Sequence, residues 1–158
     1  MNTRVDAIIV GAGPAGCTAA IRLAGAGWSV AMVEKSVFPR RKVCGECIAA
    51  SNLPLLDALG VGAEFDGLAG PELRQVGLFV GARRIEAALP PMRHPVHRWG
   101  RALGREHLDS MLLARARALG VQVWQPWSVK AQARTGEGQC ARCPARTPAR
   151  TWNCTRRW

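Results

Sequence analysis

The sequence predicts an α/β fold built on a Rossmann-type βαβ unit, incomplete, followed by the start of a second β-sheet. Three observations predict it. A short apolar run at the N-terminus closes on three glycines spaced G-x-G-x-x-G. A second apolar run ends on an acid about 20 residues later. An amphipathic stretch near residues 105–120 leads into a third apolar strand.

The first element is Val5-Asp6-Ala7-Ile8-Ile9-Val10, a buried parallel strand in pattern, and Gly11-Ala12-Gly13-Pro14-Ala15-Gly16 follows it directly. Gly11 permits the tight strand-to-helix turn, Gly13 lets a pyrophosphate approach the backbone, and Gly16 lets the helix sit close to the strand. The helix begins near Pro14, a favoured first-turn residue. Its N–H groups and positive dipole end aim at phosphates. Its inner face reads as Ala15, Ala19 and Ala20, and it ends in Gly25-Ala26-Gly27. The second strand, Ser29 to Val33, closes on Glu34, with Lys35 beside it. An acid there accepts hydrogen bonds from adenosine ribose hydroxyls and repels a 2′-phosphate, so the ligand is FAD or NAD rather than NADP.

Between the two motifs, Asn52 to Leu59 reads as a short helix with Pro54 near its start and Gly60 as its stop. Arg74 to Leu89 reads as a hairpin: Val76, Leu78 and Val80 alternate, Gly81-Ala82 turns, and Ile85 lies on the return. Leu108, Leu112, Ala116 and Leu119 sit at helical spacing, which places Arg105 in a first turn. A cation there is unfavourable for the dipole unless it meets a phosphate.

The segment Phe38-Pro39-Arg40-Arg41-Lys42-Val43-Cys44-Gly45-Glu46 carries a resemblance. Together with the glycines it resembles the FAD-dependent oxidoreductases that include geranylgeranyl reductases, flavin halogenases and aromatic-hydroxylase-type monooxygenases. Within that group the geranylgeranyl-reductase-like branch is the nearest likeness, because Lys42-Val43-Cys44-Gly45-Glu46 matches its R/K-x-C-G element. Gly104-Arg105-Glu106-His107-Leu108-Asp109 is similar to the family's Arg-x-x-Leu-Asp helix, whose Arg lies near the FAD diphosphate and ribose. The likeness covers about residues 4–130.

The resemblance implies a three-layer ββα FAD-binding domain whose hairpin at 70–90 begins the substrate-side sheet. It implies FAD as cofactor, and the cofactor-binding set becomes Gly11, Ala12, Gly13, Pro14, Ala15, Gly16, Glu34, Lys35, Arg41, Lys42, Cys44, Gly45, Arg105 and Val129. Cys44 is placed near the isoalloxazine on this ground alone. The family also implies NAD(P)H as electron donor and a small apolar or aromatic substrate. No catalytic residue stands out, and whether the chain is itself an enzyme stays open. Members of the group run to twice this length or more and carry a later Gly-Asp element and a covering sheet. The expectation is therefore a fragment, inactive or weakly FAD-binding. The alternatives are a monooxygenase or halogenase of the same superfamily, or a non-catalytic NAD/ADP-binding module.

Six cysteines include two C-x-x-C pairs, Cys44/Cys47 and Cys140/Cys143. Their separation far exceeds zinc-ribbon spacing, so no metal is expected. A thioredoxin-like role for Cys44/Cys47 fails because the motif does not open a helix after that fold's strand. Thiols without a secretion signal point to a reducing cytoplasm. His94, His97 and His107 read as solvent-exposed loop histidines. Trp124 and Trp127, around Pro126, read as core or edge packing.

The net charge is +11 over 158 residues. Residues 1–130 hold 16 Lys/Arg against 10 Asp/Glu, and 131–158 hold 6 against 1. From Ala131 onward there is no Leu, Ile, Val, Met or Phe, so no hydrophobic period can be drawn. The expected organisation is a partial FAD-binding domain over 1–130 and a disordered basic tail over 131–158. GC-rich coding sequence read in a shifted frame accounts for that tail. The alternative is a genuine basic arm that contacts nucleic acid or acidic lipid, although no nucleic-acid partner is expected. The longest low-charge run, Ala7 to Ile21, is too short to span a membrane.

Overall fold

The computed structural model describes residues 2–44, 46–129, 131–135, 138–143 and 150–154; of residues 2, 3 and those from 131 onward it describes the backbone only. In chain order the strands are β1 (Asn2–Val5), β2 (Ala7–Val10), β3 (Val30–Val33), β4 (Cys47–Ile48), β5 (Gln75–Val80), β6 (Arg83–Ala88), β7 (Arg101–Ala102), β8 (Gln122–Trp124), β9 (Ala131–Thr135), β10 (Gly138–Cys143) and β11 (Arg150–Cys154). The helices are α1 (Pro14–Gly25), α2 (Leu53–Ala58), α3 (Gly62–Leu68) and α4 (Arg105–Ala118), with a 3-10 turn at Ala50–Asn52. The chain divides into two units, 1–41 with 109–158, and 42–108. This division differs from the linear one expected from composition.

The first unit is built on a parallel sheet of order β2-β3-β8. Ile8 lies opposite Ala31, Val10 opposite Val33, and Met32 opposite Val123. All four residues of β3 are buried, as a central parallel strand covered on both faces requires. The α1 face that is buried comprises Cys17, Ala20 and Ile21. Ala15 and Ala19, expected on that face, are exposed. The helical phase starts at Cys17, and the i, i+3, i+4 stripe follows from there. On α4, Leu112 and Ala116 are buried as their spacing predicted, joined by Asp109, Met111 and Leu113.

The apolar run Val5–Val10 is two strands rather than one. Asp6 divides it: its carboxylate accepts the Ser29 N–H at 2.9 Å and the Ser29 hydroxyl at 2.8 Å, while its own N–H donates to the Ser29 carbonyl. Before Asp6 the chain joins a second sheet of order β1-β11-β10-β9. β1 runs parallel to β11, with Asn2 opposite Thr151 and Val5 opposite Cys154; the other pairings are antiparallel. The tail was expected to lack structure, yet three of its segments form strands. A ladder is made from backbone groups, which every residue but proline can supply, so the missing hydrophobic period does not prevent it. Val5, Ala31 and Val33 form a small core against which Ile8, Trp124, Trp127 and Val129 pack. The two tryptophans meet edge to face at 5.7 Å, in the packing role expected of them.

In the second unit, α2 and α3 bury Leu53, Leu56 and Phe65. Gly60, at φ +75°, ends α2 as the sequence predicted. Arg101 on β7 closes the C-terminal end of α3. Its guanidinium donates to the carbonyls of Asp66, Ala69 and Gly70 and to the Asp66 carboxylate, at 2.7–3.3 Å. The Asp66 carbonyl is one that a helix end leaves without an intrahelical donor. The expected hairpin is β5–β6, turning at Gly81 with Val80 opposite Arg83. Every residue of both strands is exposed, including Val76, Leu78, Phe79, Val80 and Ile85.

His97 departs from the exposed-loop expectation. It is buried, and its Nε2 meets the Asp57 carboxylate at 2.6 Å. His94 stacks on it at 5.2 Å. A charged partner on α2 gives the imidazole a reason to be inside that loop spacing alone does not reveal.

Candidate cofactor site

The glycine loop joins β2 to α1. Gly11 has φ +100°, a backbone conformation that side-chain-bearing residues avoid, and its N–H donates to the Val33 carbonyl at 2.8 Å. A Cβ at Gly16 would overlap the Gly11 carbonyl oxygen, so helix and strand approach this closely only with glycine there. Gly13 caps α1 in an extended conformation and Pro14 occupies its first turn. The first-turn N–H groups of Ala15 and Gly16 have no intrahelical acceptor. They lie at the positive end of a twelve-residue helix, a natural anion site.

Glu34 ties this loop down. It is buried, and its Oε2 accepts the Ala12 N–H at 2.8 Å while Oε1 accepts the Ser36 N–H at 2.9 Å. Its backbone is held from both sides, by the Trp124 carbonyl and the Trp127 N–H. Burial works to raise its carboxyl pKa. The two backbone N–H bonds, the Arg40 charge and a side-chain bond from Ser36 outweigh that and hold it below its ordinary value of 4.5. The group is therefore a carboxylate at neutral pH. Each oxygen keeps acceptor capacity for ribose hydroxyls.

Two supporting residues are absent from the sequence-derived set. Cys17 lies under the loop and its thiol donates to the Ala12 carbonyl at 3.3 Å. Burial, then the Asp109 and Glu34 carboxylates, push that thiol up to about 12, against the opposing pull of Arg40. It stays a protonated donor. Arg40 stacks over Phe38 at 4.8 Å and reaches the buried Asp109 carboxylate at 3.7 Å. Its buried Nε has no hydrogen-bond partner among the described residues. The helical phase of α1 would have pointed to Cys17. Arg40 stood in the quoted motif, but nothing in its spacing separated it from Arg41.

The predicted residues fall in both units. Gly11 to Gly16, Glu34, Lys35, Arg41 and Val129 belong to the first; Lys42, Cys44 and Arg105 belong to the second. Gly45 lies outside the described residues. Lys35, Arg41, Lys42 and Cys44 are exposed, Arg105 is half-buried in the first turn of α4, and Val129 packs beside the small core of the first unit. A hydrogen bond from Ala12 joins the glycine loop directly to Glu34. Among the described residues no group of three or more His, Cys, Asp or Glu could hold a metal ion, and no helix is long and apolar enough to cross a membrane.

This arrangement suits a dinucleotide whose adenosine end lies at the acid and whose pyrophosphate lies at the helix. Comparison with known proteins agrees. The family described as FAD binding domain matches residues 4–153, past the point near 130 where the sequence resemblance stopped. A menaquinone reductase of Mycolicibacterium smegmatis is 37% identical over 90 residues, covering 57% of this chain and 21% of that protein. A tryptophan 2-halogenase of Chondromyces crocatus is 33% identical over 118 residues, covering 75% and 22%. The chain thus spans little more than a fifth of these two curated relatives. In fold it is similar to the OxyS anhydrotetracycline hydroxylase from Streptomyces rimosus: the TM-score is 0.81 at 24% identity, over 97% of this chain and 30% of that one.

Proposed function

Because the chain belongs to the FAD binding domain family, we propose that it holds the ADP half of FAD for a flavin oxidoreductase of the geranylgeranyl-reductase-like kind. The observation that carries this reading is the buried Glu34 carboxylate bonded to the Ala12 N–H, which sets ribose acceptor and phosphate loop in one rigid unit. Gly13, Ala15 and Gly16 offer N–H groups to the pyrophosphate, Glu34 receives the ribose, and Lys35 and Arg41 supply positive charge. When bound, FAD supplies the redox chemistry; this chain's residues bind and orient it. The Lys42 to Glu46 motif and the likeness to a menaquinone reductase support a reductase acting on an apolar or aromatic small molecule; the donor we propose is NAD(P)H, from the family resemblance, and the setting cytoplasmic, from the six thiols.

The likeness to a halogenase supports a second reading within the same superfamily, a monooxygenase or halogenase.

The test is a fluorescence titration with FAD, with NAD as comparison. The reading expects flavin quenching by the full chain, weaker binding in Glu34→Ala, and weaker binding of NAD. No quenching at any FAD concentration, or NAD bound more tightly than FAD, overturns it.

A further inference from the structure

We propose that the cavity lined by Trp99 binds a small organic cation, a guanidinium or amidinium on an apolar body, which takes the place that Arg74 holds. The cavity has a volume of about 400 Å³ and lies wholly within residues 42–108. Sites that enclose small molecules run to about 300–1,000 Å³. Among the described residues, none of those assigned to the cofactor lines it.

Its lining joins an apolar side to a set of open acceptors. Leu53, Val96 and Trp99 supply the apolar surface, and Asp66, Glu72, His97 and Arg101 the polar groups. The donors are largely committed. Arg101 gives Nε to the Gly70 carbonyl, one terminal nitrogen to the Asp66 carboxylate and the other to the carbonyls of Asp66 and Ala69. His97 meets the Asp57 carboxylate through Nε2. A carboxylate only accepts, so Nε2 carries the hydrogen and Nδ1 of the neutral ring is an acceptor.

The acceptors are not committed in the same way. Asp66 receives Arg101 on Oδ1, and Glu72 receives Arg74 on Oε2. Asp66 Oδ2, Glu72 Oε1 and His97 Nδ1 take no donor from the described residues. Two carboxylates stand against one guanidinium in the lining, which favours a cation over an anion.

The same wall already holds a cation of this kind. The Arg74 guanidinium lies over the Trp99 ring at 4.3 Å and donates to Glu72 Oε2 from Nε at 2.9 Å and from a terminal nitrogen at 2.6 Å. An aromatic face beside a carboxylate suits a planar, delocalised cation. Arg98 also lies over this ring, at 4.8 Å, but without a carboxylate partner among the described residues. The Arg74 side chain is 63% exposed, and an exposed ion pair contributes little. An incoming guanidinium or amidinium therefore displaces it at small cost.

The test titrates the ¹⁵N-labelled full chain with benzamidine, a planar amidinium on an apolar ring. It reads the indole N–H signal of Trp99, assigned by its absence in Trp99→Phe. Benzamide and benzoate, the neutral and anionic counterparts, are titrated alongside. The expected result is a saturable shift with benzamidine and none with the other two. Arg74→Ala is expected to tighten binding about 5-fold, the size of one exposed ion pair, and adding Glu72→Gln to it removes that gain. Both substitutions leave the Arg101 bonds to the end of α3 in place. No saturable shift up to about 10 mM benzamidine overturns the proposal, as does equal binding of benzamide or benzoate. So does an Arg74→Ala protein that binds no more tightly than wild type, or a double variant that keeps the gain. FAD takes no part in the titration, so this result is independent of the cofactor reading.

Discussion

The Glu34 carboxylate accepts the N–H of Ala12, 22 residues earlier in the chain, at 2.8 Å. Strand end and phosphate loop are thereby one element. Removing the charge should loosen both the apo fold and its grip on nucleotide. Glu34→Ala is expected to weaken FAD binding by about 10–100-fold, the range for one charged hydrogen bond of about 1.5–3 kcal/mol, read by flavin quenching.

The same carboxylate makes stability depend on pH. Its folded pKa lies below the ordinary value. It therefore contributes stability that is complete above the unfolded pKa and lost as pH falls through the folded one. Thermal unfolding of wild type should lose ground to Glu34→Gln as pH drops below the ordinary carboxylate range. A constant gap between the two proteins would count against this assignment.

Gly16 and Gly25 are both in α1 and should answer oppositely to alanine. A Cβ at Gly16 overlaps the Gly11 carbonyl, whereas at Gly25 nothing lies within 4 Å. Gly16→Ala is expected to cost about 1–3 kcal/mol from overpacking. Gly25→Ala should gain about 0.5–1 kcal/mol from helix propensity. Denaturant unfolding separates the two.

The Cys17 thiol, pushed up to about 12, is about one part in ten thousand thiolate at pH 8. Alkylation of the native protein should label Cys47 and leave Cys17 untouched until denaturant opens the core. Mass mapping of the peptides reads this directly; early labelling of Cys17 would contradict its burial.

Arg101 is expected to resist replacement even by lysine. A guanidinium reaches the carbonyls of Asp66, Ala69 and Gly70 together, and an ammonium lacks that planar fork. Arg101→Lys and Arg101→Ala should each lower stability, the latter by about 2 kcal/mol, seen as a drop in Tm.

The first βαβ unit was legible because its signals are local. The Ala7–Val10 segment reads as strand by its unbroken apolar run, Gly11 by its turn and Pro14 by its place in a first turn; Glu34 follows at a fixed remove. What the sequence hid depends on partners distant in the chain. Asp6 reads as part of one strand until Ser29 is placed beside it. His97 reads as a surface loop residue until Asp57, 40 positions earlier, is found against it. The strands after residue 130 carry no side-chain pattern at all, because backbone pairing alone makes them. In the candidate site, the glycines and Glu34 were readable from spacing and Cys17 from the helical phase of α1, while Arg40 acts by facing inward, which spacing near a motif does not announce.

The parallel pairing of β1 with β11 sets the order in which the chain can fold. Asn2 meets Thr151 and Val5 meets Cys154, and among the described residues β11 is the neighbour of β1 in that sheet. At about 5–20 residues per second of synthesis, β1 waits on the order of ten to thirty seconds for its partner to be made. Contacts of such long sequence separation also form slowly once both ends exist. Through that interval the β2-β3-β8 sheet can assemble while β1 stays unpaired. The newborn chain is then most exposed to mispairing at β1.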